Sequence, residues 1–348
     1  MKRGNIFLSI LCTLCLLVLC EVCLRLVLVA KYKIPFFSPT LINRIYPGLE
    51  ETNALQLTEN DGYFDILLLG GSVLSNQFGS IEKELYKQLG NSPKIRIHNL
   101  AQPAHSSLDS KIKYDLLRGK HFDFVIFYHG INGLRANNCP PSVFKPDYSH
   151  YAWYQDVYRI LRHKEMKYTV IPFFIDLAAA NIRRKIGLEK MVPPHLPNEE
   201  WAEKYGQDIR TEQSFKKNVL DIVRRAESTG DPILLMTFAF YVPEDYSLEK
   251  FKARQLDYDQ FVSPIEIWGR PENVKKGLEV HNRVIQDVAH DFRSGKLKYQ
   301  KFYYLDMNSF MPESKENFND VCHLTEEGCK RFVSYILPMI KNEQAVNK

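Results

Sequence analysis

The chain alternates short, uninterrupted apolar runs with longer stretches where apolar residues recur every three or four positions. The runs Phe64–Leu69, Ile95–Leu100, Phe122–Tyr128, Ile233–Val242 and Phe302–Leu305 read as strands buried on both faces. Helical periodicity predicts helices over Ile81–Leu89, Leu108–Leu117, Glu212–Ser228, Val274–Asp291 and Glu326–Ile340. Strands of this kind separated by helices predict an α/β fold, a parallel sheet covered on both faces. Such a sheet places its sites beyond the carboxyl ends of its strands.

Two regions break the rhythm. The first thirty residues are almost wholly apolar from Ile6 to Cys20 and continue so to Val29, with only Glu21 and Arg25 interrupting. About twenty apolar residues cross a bilayer as a helix, so residues 6–29 are long enough to do so. No small-x-small cleavage site follows, which favours an uncleaved anchor over a removed signal. Glu21 and Arg25 are four apart and could pair on a helix. Lys2 and Arg3 oppose Lys31 and Lys33 across the segment, so the basic residues nearly balance. Residues 31–60 follow as a connector, broken by Pro35, Pro39 and Pro47.

The second break is an insertion at about 134–215, between the third and fourth strands. It holds Tyr148, Tyr151, Trp153 and Tyr154, then the run Met191-Val192-Pro193-Pro194-His195-Leu196-Pro197. An interruption of this length has helices of its own, and often forms a lid or a binding wall. The expected organisation is therefore an anchor at 1–30, a connector at 31–60 and an α/β domain at 61–345 carrying the insertion.

Composition narrows this only slightly. The 348 residues are 45% apolar and 25% charged, ordinary for a globular enzyme, and the net charge of +5 comes with no Lys/Arg block pointing to nucleic acid. Four of the seven cysteines lie in the apolar segment. The other three, Cys139, Cys322 and Cys329, are too few and scattered for a zinc cluster. No metal or cofactor is called for.

Four strand ends carry candidate chemistry. Gly70-Gly71-Ser72 follows the first strand, where the glycines permit a sharp turn and close approach of a substrate carbonyl. Asn99-Leu100-Ala101-Gln102-Pro103-Ala104-His105 follows the second, and His129-Gly130-Ile131-Asn132-Gly133 the third. Asp320-Val321-Cys322-His323 precedes the last helix. Alone, each has a plainer explanation: a loop, a turn asparagine, an aspartate capping a helix. Together they supply a serine, a base for its proton, a carboxylate to orient the base and donors for an oxyanion.

In order, spacing and context these four blocks resemble those of the SGNH (GDSL-like) hydrolase superfamily, over about residues 64–340 with the insertion unmatched. Glu21, Arg25 and the leucines of the apolar segment resemble the anchor of membrane-attached bacterial members. The resemblance implies a three-layer α/β/α sandwich around a five-stranded parallel sheet, here behind an amino-terminal transmembrane helix. It also implies ester hydrolysis or acyl transfer. Carried over by position, Ser72 is the nucleophile, His323 the base and Asp320 its orienting partner. The oxyanion hole comes from Ser72 N–H, Ala101 N–H and the Asn132 side chain. Gly71, Gly130, His105 and His129 are expected to line the substrate pocket. Two positions depart from the pattern: Ala101 stands where glycine is usual, and Gly133 where aspartate is common.

The implied partner is an acylated carbohydrate or another small ester, together with a lipid bilayer through residues 6–29. The implied location is the bacterial inner membrane, with the catalytic domain facing the periplasm or exterior. A polysaccharide O-acyltransferase would use the same three residues. A non-catalytic glycan-binding scaffold on this fold has no need to keep them all.

Overall fold

The computed structural model describes residues 3–37, 40–59, 61–192 and 199–346. Pro39 of the connector and the run Pro193–Pro197 lie outside the described residues. The chain forms two compact units. One comprises Met1–Pro47 and Tyr148–Pro194, the other Gly48–Asp147 and His195–Lys348.

The larger unit is built on a five-stranded sheet of β1 (Phe64–Gly70), β2 (Ile95–Asn99), β3 (Phe124–Tyr128), β4 (Ile233–Met236) and β5 (Phe302–Leu305). All neighbours are parallel, in the order β2-β1-β3-β4-β5. This is the doubly wound order in which the chain reverses direction between β1 and β3, leaving a crevice at their carboxyl ends. The expected central five-stranded parallel sheet is thus present.

Side-chain alternation explains why the three central strands, β1, β3 and β4, are almost wholly apolar. Ile66, Leu68, Phe124, Ile126, Leu234 and Met236 share one face and pack with Leu85 of the Ile81–Gln88 helix and Phe332 and Ile336 of the Glu326–Val346 helix. Leu67, Leu69, Val125, Phe127, Ile233 and Leu235 alternate with them and are equally buried. On that side the Ser107–Leu116, Thr211–Thr229 and Pro271–Arg293 helices pack on one another. Asp65, at the amino end of β1, is held by Arg96 and His98 and serves structure, far from the loops that carry chemistry.

One expected strand is cut short. The run Ile233–Val242 stays in the sheet only to Met236. Beyond it the N–H groups turn to other acceptors: Phe238 N–H to Asn282 Oδ1 (2.6 Å), Ala239 N–H to the Tyr128 hydroxyl (2.9 Å) and Tyr241 N–H to Val321 O (2.9 Å). Apolar character persists because the segment is buried, but side chains and a loop carbonyl replace the ladder that would have extended the strand. The last helix runs past Ile340 to Val346, and Glu343 within it accepts a hydrogen bond from Tyr303.

The smaller unit is helical. Its first helix, Arg3–Tyr32, includes a segment, Ile6–Tyr32, that is long and apolar enough to cross a membrane, with a mean hydropathy of 2.7 over its most apolar 18 residues. The Ala152–Arg162 and Ile171–Lys185 helices belong to the same unit. Leu28, Ile34, Leu41, Met166, Val170 and Phe173 form its core. Tyr148, Tyr151 and Tyr154 are buried here, so these rings pack the unit rather than present a wall for substrate stacking.

Candidate active site

β1 ends at Gly70, and the chain then turns within Gly71-Ser72, closed by Ser75 N–H donating to Ser72 O. Gly71 is required by space. A Cβ there would sit 2.7 Å from Asn132 Nδ2 and 3.2 Å from His105 O. The missing side chain lets the serine turn and the Asn132 turn approach closely.

His323 and Asp320 come from a loop that folds back on itself before the last helix. Asn319 N–H donates to His323 O (2.7 Å) and Thr325 N–H to Asn317 O (3.0 Å). Phe318 and Leu324 form an antiparallel bridge. This small hairpin fixes the carboxylate and the imidazole relative to each other.

Ser72 Oγ lies 2.8 Å from His323 Nε2, and His323 Nδ1 lies 2.7 Å from Asp320 Oδ2. A carboxylate only accepts, so Nδ1 carries the proton donated to Asp320 and Nε2 is left to accept from the serine hydroxyl. Asp320 takes three further bonds, to Oδ1 from the N–H groups of Cys322 (2.9 Å) and His323 (2.8 Å), and to Oδ2 from Ser263 N–H (2.8 Å). Phe78 stacks on the other side of the imidazole, centroids 4.6 Å apart. All three residues are buried. This relay can take a proton from a serine hydroxyl as it attacks a carbonyl.

Asn132 opens a 3-10 turn, Ile131–Asn137, directly after β3. Its Nδ2 donates one hydrogen to His105 O (3.0 Å), while its Oδ1 accepts from Trp268 Nε1 (2.9 Å). The second amide hydrogen is what can face an oxyanion. His281 anchors the start of the turn by donating from Nδ1 to Gly130 O (2.9 Å). Gly130 is itself pressed on Phe238, where a Cβ would come within 2.5 Å of the ring.

Ala101 is placed differently from a free oxyanion donor. Its N–H donates to Asn99 Oδ1 at 3.0 Å, and Asn99 Nδ2 reaches across to Leu74 O at 2.8 Å. The asparagine of the second block therefore ties the two loops together and occupies the backbone donor of the third oxyanion position.

The two histidines expected in the pocket wall are not alike. His105 contributes its carbonyl to Asn132, while its buried ring lies 3.1 Å from Lys113 Nζ. Burial holds that imidazole down, to about 4, and pushes Lys113 down to about 8. His129 is a correction. It is 3% exposed, its Nε2 bonds Ser110 Oγ at 2.6 Å, and its ring packs against Phe127. Alternation along β3 turns it into the helical layer, and burial drives its pKa well down.

All seven cysteines are free, and Cys139, Cys322 and Cys329 are buried thiols whose pKa values burial raises. Cys322, Asp320 and His323 bring donor atoms within 4.8 Å of one another, but both imidazole nitrogens are engaged within the relay.

No protein-family model and no curated protein matches the sequence. Solved structures are similar in outline. A GDSL-like lipase from Bacteroides thetaiotaomicron is 11% identical, with 84% of this chain and 95% of that one covered at a TM-score of 0.42. An acetyl xylan esterase from Geobacillus stearothermophilus is 10% identical, with 82% and 97% covered at 0.41. Identity this low and overlays this loose decide nothing about chemistry.

Three participants carry no signal in the four blocks. Trp268 sits in an irregular region 136 residues beyond its partner Asn132. Ser263 acts through its backbone and Phe78 through a ring face, neither of which a motif records.

Proposed function

We propose that the protein is a membrane-anchored serine esterase of SGNH type that removes O-acyl groups from cell-surface or secreted glycan. The observation that carries the chemistry is the Ser72–His323–Asp320 relay, at 2.8 and 2.7 Å. Its placement at the carboxyl end of β1, with the Asn132 turn at the end of β3 beside it, supports the SGNH assignment.

In the proposed reaction His323 Nε2 takes the Ser72 proton as Oγ attacks the ester carbonyl. Ser72 N–H and the second amide hydrogen of Asn132 receive the oxyanion, while Ala101 N–H stays on Asn99 Oδ1. Protonated His323 returns its proton to the leaving alcohol, and Asp320 stabilises the imidazolium meanwhile. Water, activated by the same imidazole, then releases the acid. An alcohol in place of water would make the protein a transferase.

The apolar Ile6–Tyr32 segment supports an anchor in the bacterial inner membrane, with the catalytic unit facing the periplasm or exterior. An acylated glycan is a substrate that a catalytic unit tethered at that surface would meet.

The test is hydrolysis of short-chain p-nitrophenyl esters by the full-length chain in detergent, beside Ser72→Ala. Activity that disappears with Ser72 supports the nucleophile, and an active Ser72→Ala chain overturns it. Acetate release from acetylated polysaccharide, with and without an added acceptor alcohol, separates hydrolysis from transfer.

A further inference from the structure

The smaller unit carries an apolar surface that its core does not use. In the Ile171–Lys185 helix, Phe173 is buried in the core that includes Leu28 of the amino-terminal helix, Leu177 packs against that core, and Ala180 is fully buried. On the opposite side Ile175 and Ile182 are 65% and 60% exposed, and Ile186 just beyond the helix is 63% exposed. Spacings of seven and four place all three in one stripe. Leu188 and Tyr168, beyond the two ends of the helix, are exposed as well, at 71% and 74%. Isolated exposed isoleucines are ordinary on a protein surface, whereas a helix apolar on two opposite faces has a second occupant.

The level of this helix is fixed by the pair that interrupts the apolar segment. Glu21 accepts from Thr169 Oγ1 (2.9 Å) and Val170 N–H (3.0 Å), and Arg25 donates to Glu21 (2.6 Å), Phe36 O (2.6 Å) and Tyr168 O (2.9 Å). Counted from Ile6 at 1.5 Å per residue, Glu21 and Arg25 stand roughly 22 and 28 Å along the helix. A hydrocarbon core of about 30 Å therefore ends near them. The two charges bind residues 168–170, and those residues begin the helix with the exposed stripe. Lys167, Lys185 and Lys190 are exposed around it, the charge that an anionic headgroup layer attracts.

We propose that the Ile171–Lys185 helix is a second membrane element, lying in the interface beside the spanning helix with Ile175, Ile182 and Ile186 dipped into the acyl boundary. The proposal rests on residues 6–29 spanning the bilayer. It gives the anchor two contacts in place of one, so the smaller unit is oriented on the membrane as well as tethered to it. Its occupant is the lipid bilayer, by continuity with the spanning helix and by charge.

The test uses the full-length chain in nanodiscs of mixed neutral and anionic lipid, comparing Ile182→Trp and Val18→Trp with the parent chain. Ile182 is exposed, so the larger side chain is accommodated. The added emission at 182 should be blue-shifted. Lipids brominated near the glycerol end of the acyl chain should remove most of it, and lipids brominated near the chain terminus little. Quenching at 18 without quenching at 182 would overturn the interfacial helix and leave the anchor standing. Absence of quenching at both would overturn the anchor, and the proposal with it. A blue shift at 182 that ignores bromine and grows with the number of chains per disc would mean that a second copy covers the stripe, which also overturns it.

Discussion

Trp268 donates its indole N–H to Asn132 Oδ1 at 2.9 Å, and the His105 carbonyl takes a hydrogen from Nδ2 of the same amide at 3.0 Å. An asparagine can present oxygen or nitrogen to a substrate, and these two bonds leave only the nitrogen side facing the serine turn. Arg135 lies over the indole, 5.6 Å from its centre, and donates to Ile267 O at 3.0 Å, which steadies the tryptophan. Trp268→Phe keeps the ring and removes the donor. A neutral hydrogen bond contributes about 1 kcal/mol, so turnover should fall roughly fivefold with KM little changed. In an Asn132→Ala background, itself about a hundredfold slower, the same change should do nothing further. Equal effects in both backgrounds would show that Trp268 acts on packing alone.

Gly71→Ala tests the contact between the two turns. The added methyl would meet Asn132 Nδ2 at 2.7 Å and His105 O at 3.2 Å. The carbonyl is backbone and the amide is a side-chain end, so the amide moves. Activity should drop by about as much as in Asn132→Ala, while the denaturation midpoint shifts by well under the loss expected of a core overpacking, about 1–3 kcal/mol. A large stability loss with a proportionate activity loss would place the glycine's role in the fold instead.

Asp320 accepts four hydrogen bonds, two at each oxygen. An asparagine offers one oxygen, so its amino group must face donors on one side. Asp320→Asn therefore either loses the backbone bonds or turns the imidazole to its other tautomer, with the proton pointing at Ser72. Turnover should fall by about four orders of magnitude, as when the orienting carboxylate of a serine triad is neutralised. Ester hydrolysis that survives within tenfold of the parent would remove Asp320 from the relay.

The sheet and the relay were legible in the sequence for separate reasons. Continuous apolar runs such as Ile66–Leu69 and Phe124–Tyr128 mark strands because both faces are covered, while Ser72 follows β1 directly and Asp320 and His323 stand just before the last helix. The end of β4 was not legible, because burial keeps Phe238 and Phe240 apolar after the ladder has stopped, and the acceptors that replace it, Asn282 and Asn308, lie 44 and 68 residues away. The same distance hides Trp268 from any local pattern. His129 misled because it adjoins the turn that carries Asn132, while strand alternation turns it the other way.

Beneath the site, His281 sets an acid limit on stability. Its Nδ1 donates to Gly130 O, so its Nε2 accepts from the Thr211 hydroxyl at 3.0 Å, and Phe215 stacks on the ring at 4.2 Å. Burial lowers its pKa from 6.5 to about 4, and His105 is lowered to about 4 likewise. Between those values the unfolded chain binds protons that the folded chain refuses, so stability rises with pH across the window. It should therefore be lost on acidification from about pH 6.5 and level off near pH 4. His121, whose pKa Asp231 raises, runs the other way, and its contribution is present in acid and lost as pH rises. The measured slope is the net of these. Urea midpoints of the parent and His281→Gln at about pH 7.5 and about pH 5 isolate one term. The variant should start less stable, because the ring stacked on Phe215 is lost, yet lose less on acidification. A parallel loss in both chains would show that His281 is protonated in the folded state, which its bond from Thr211 forbids.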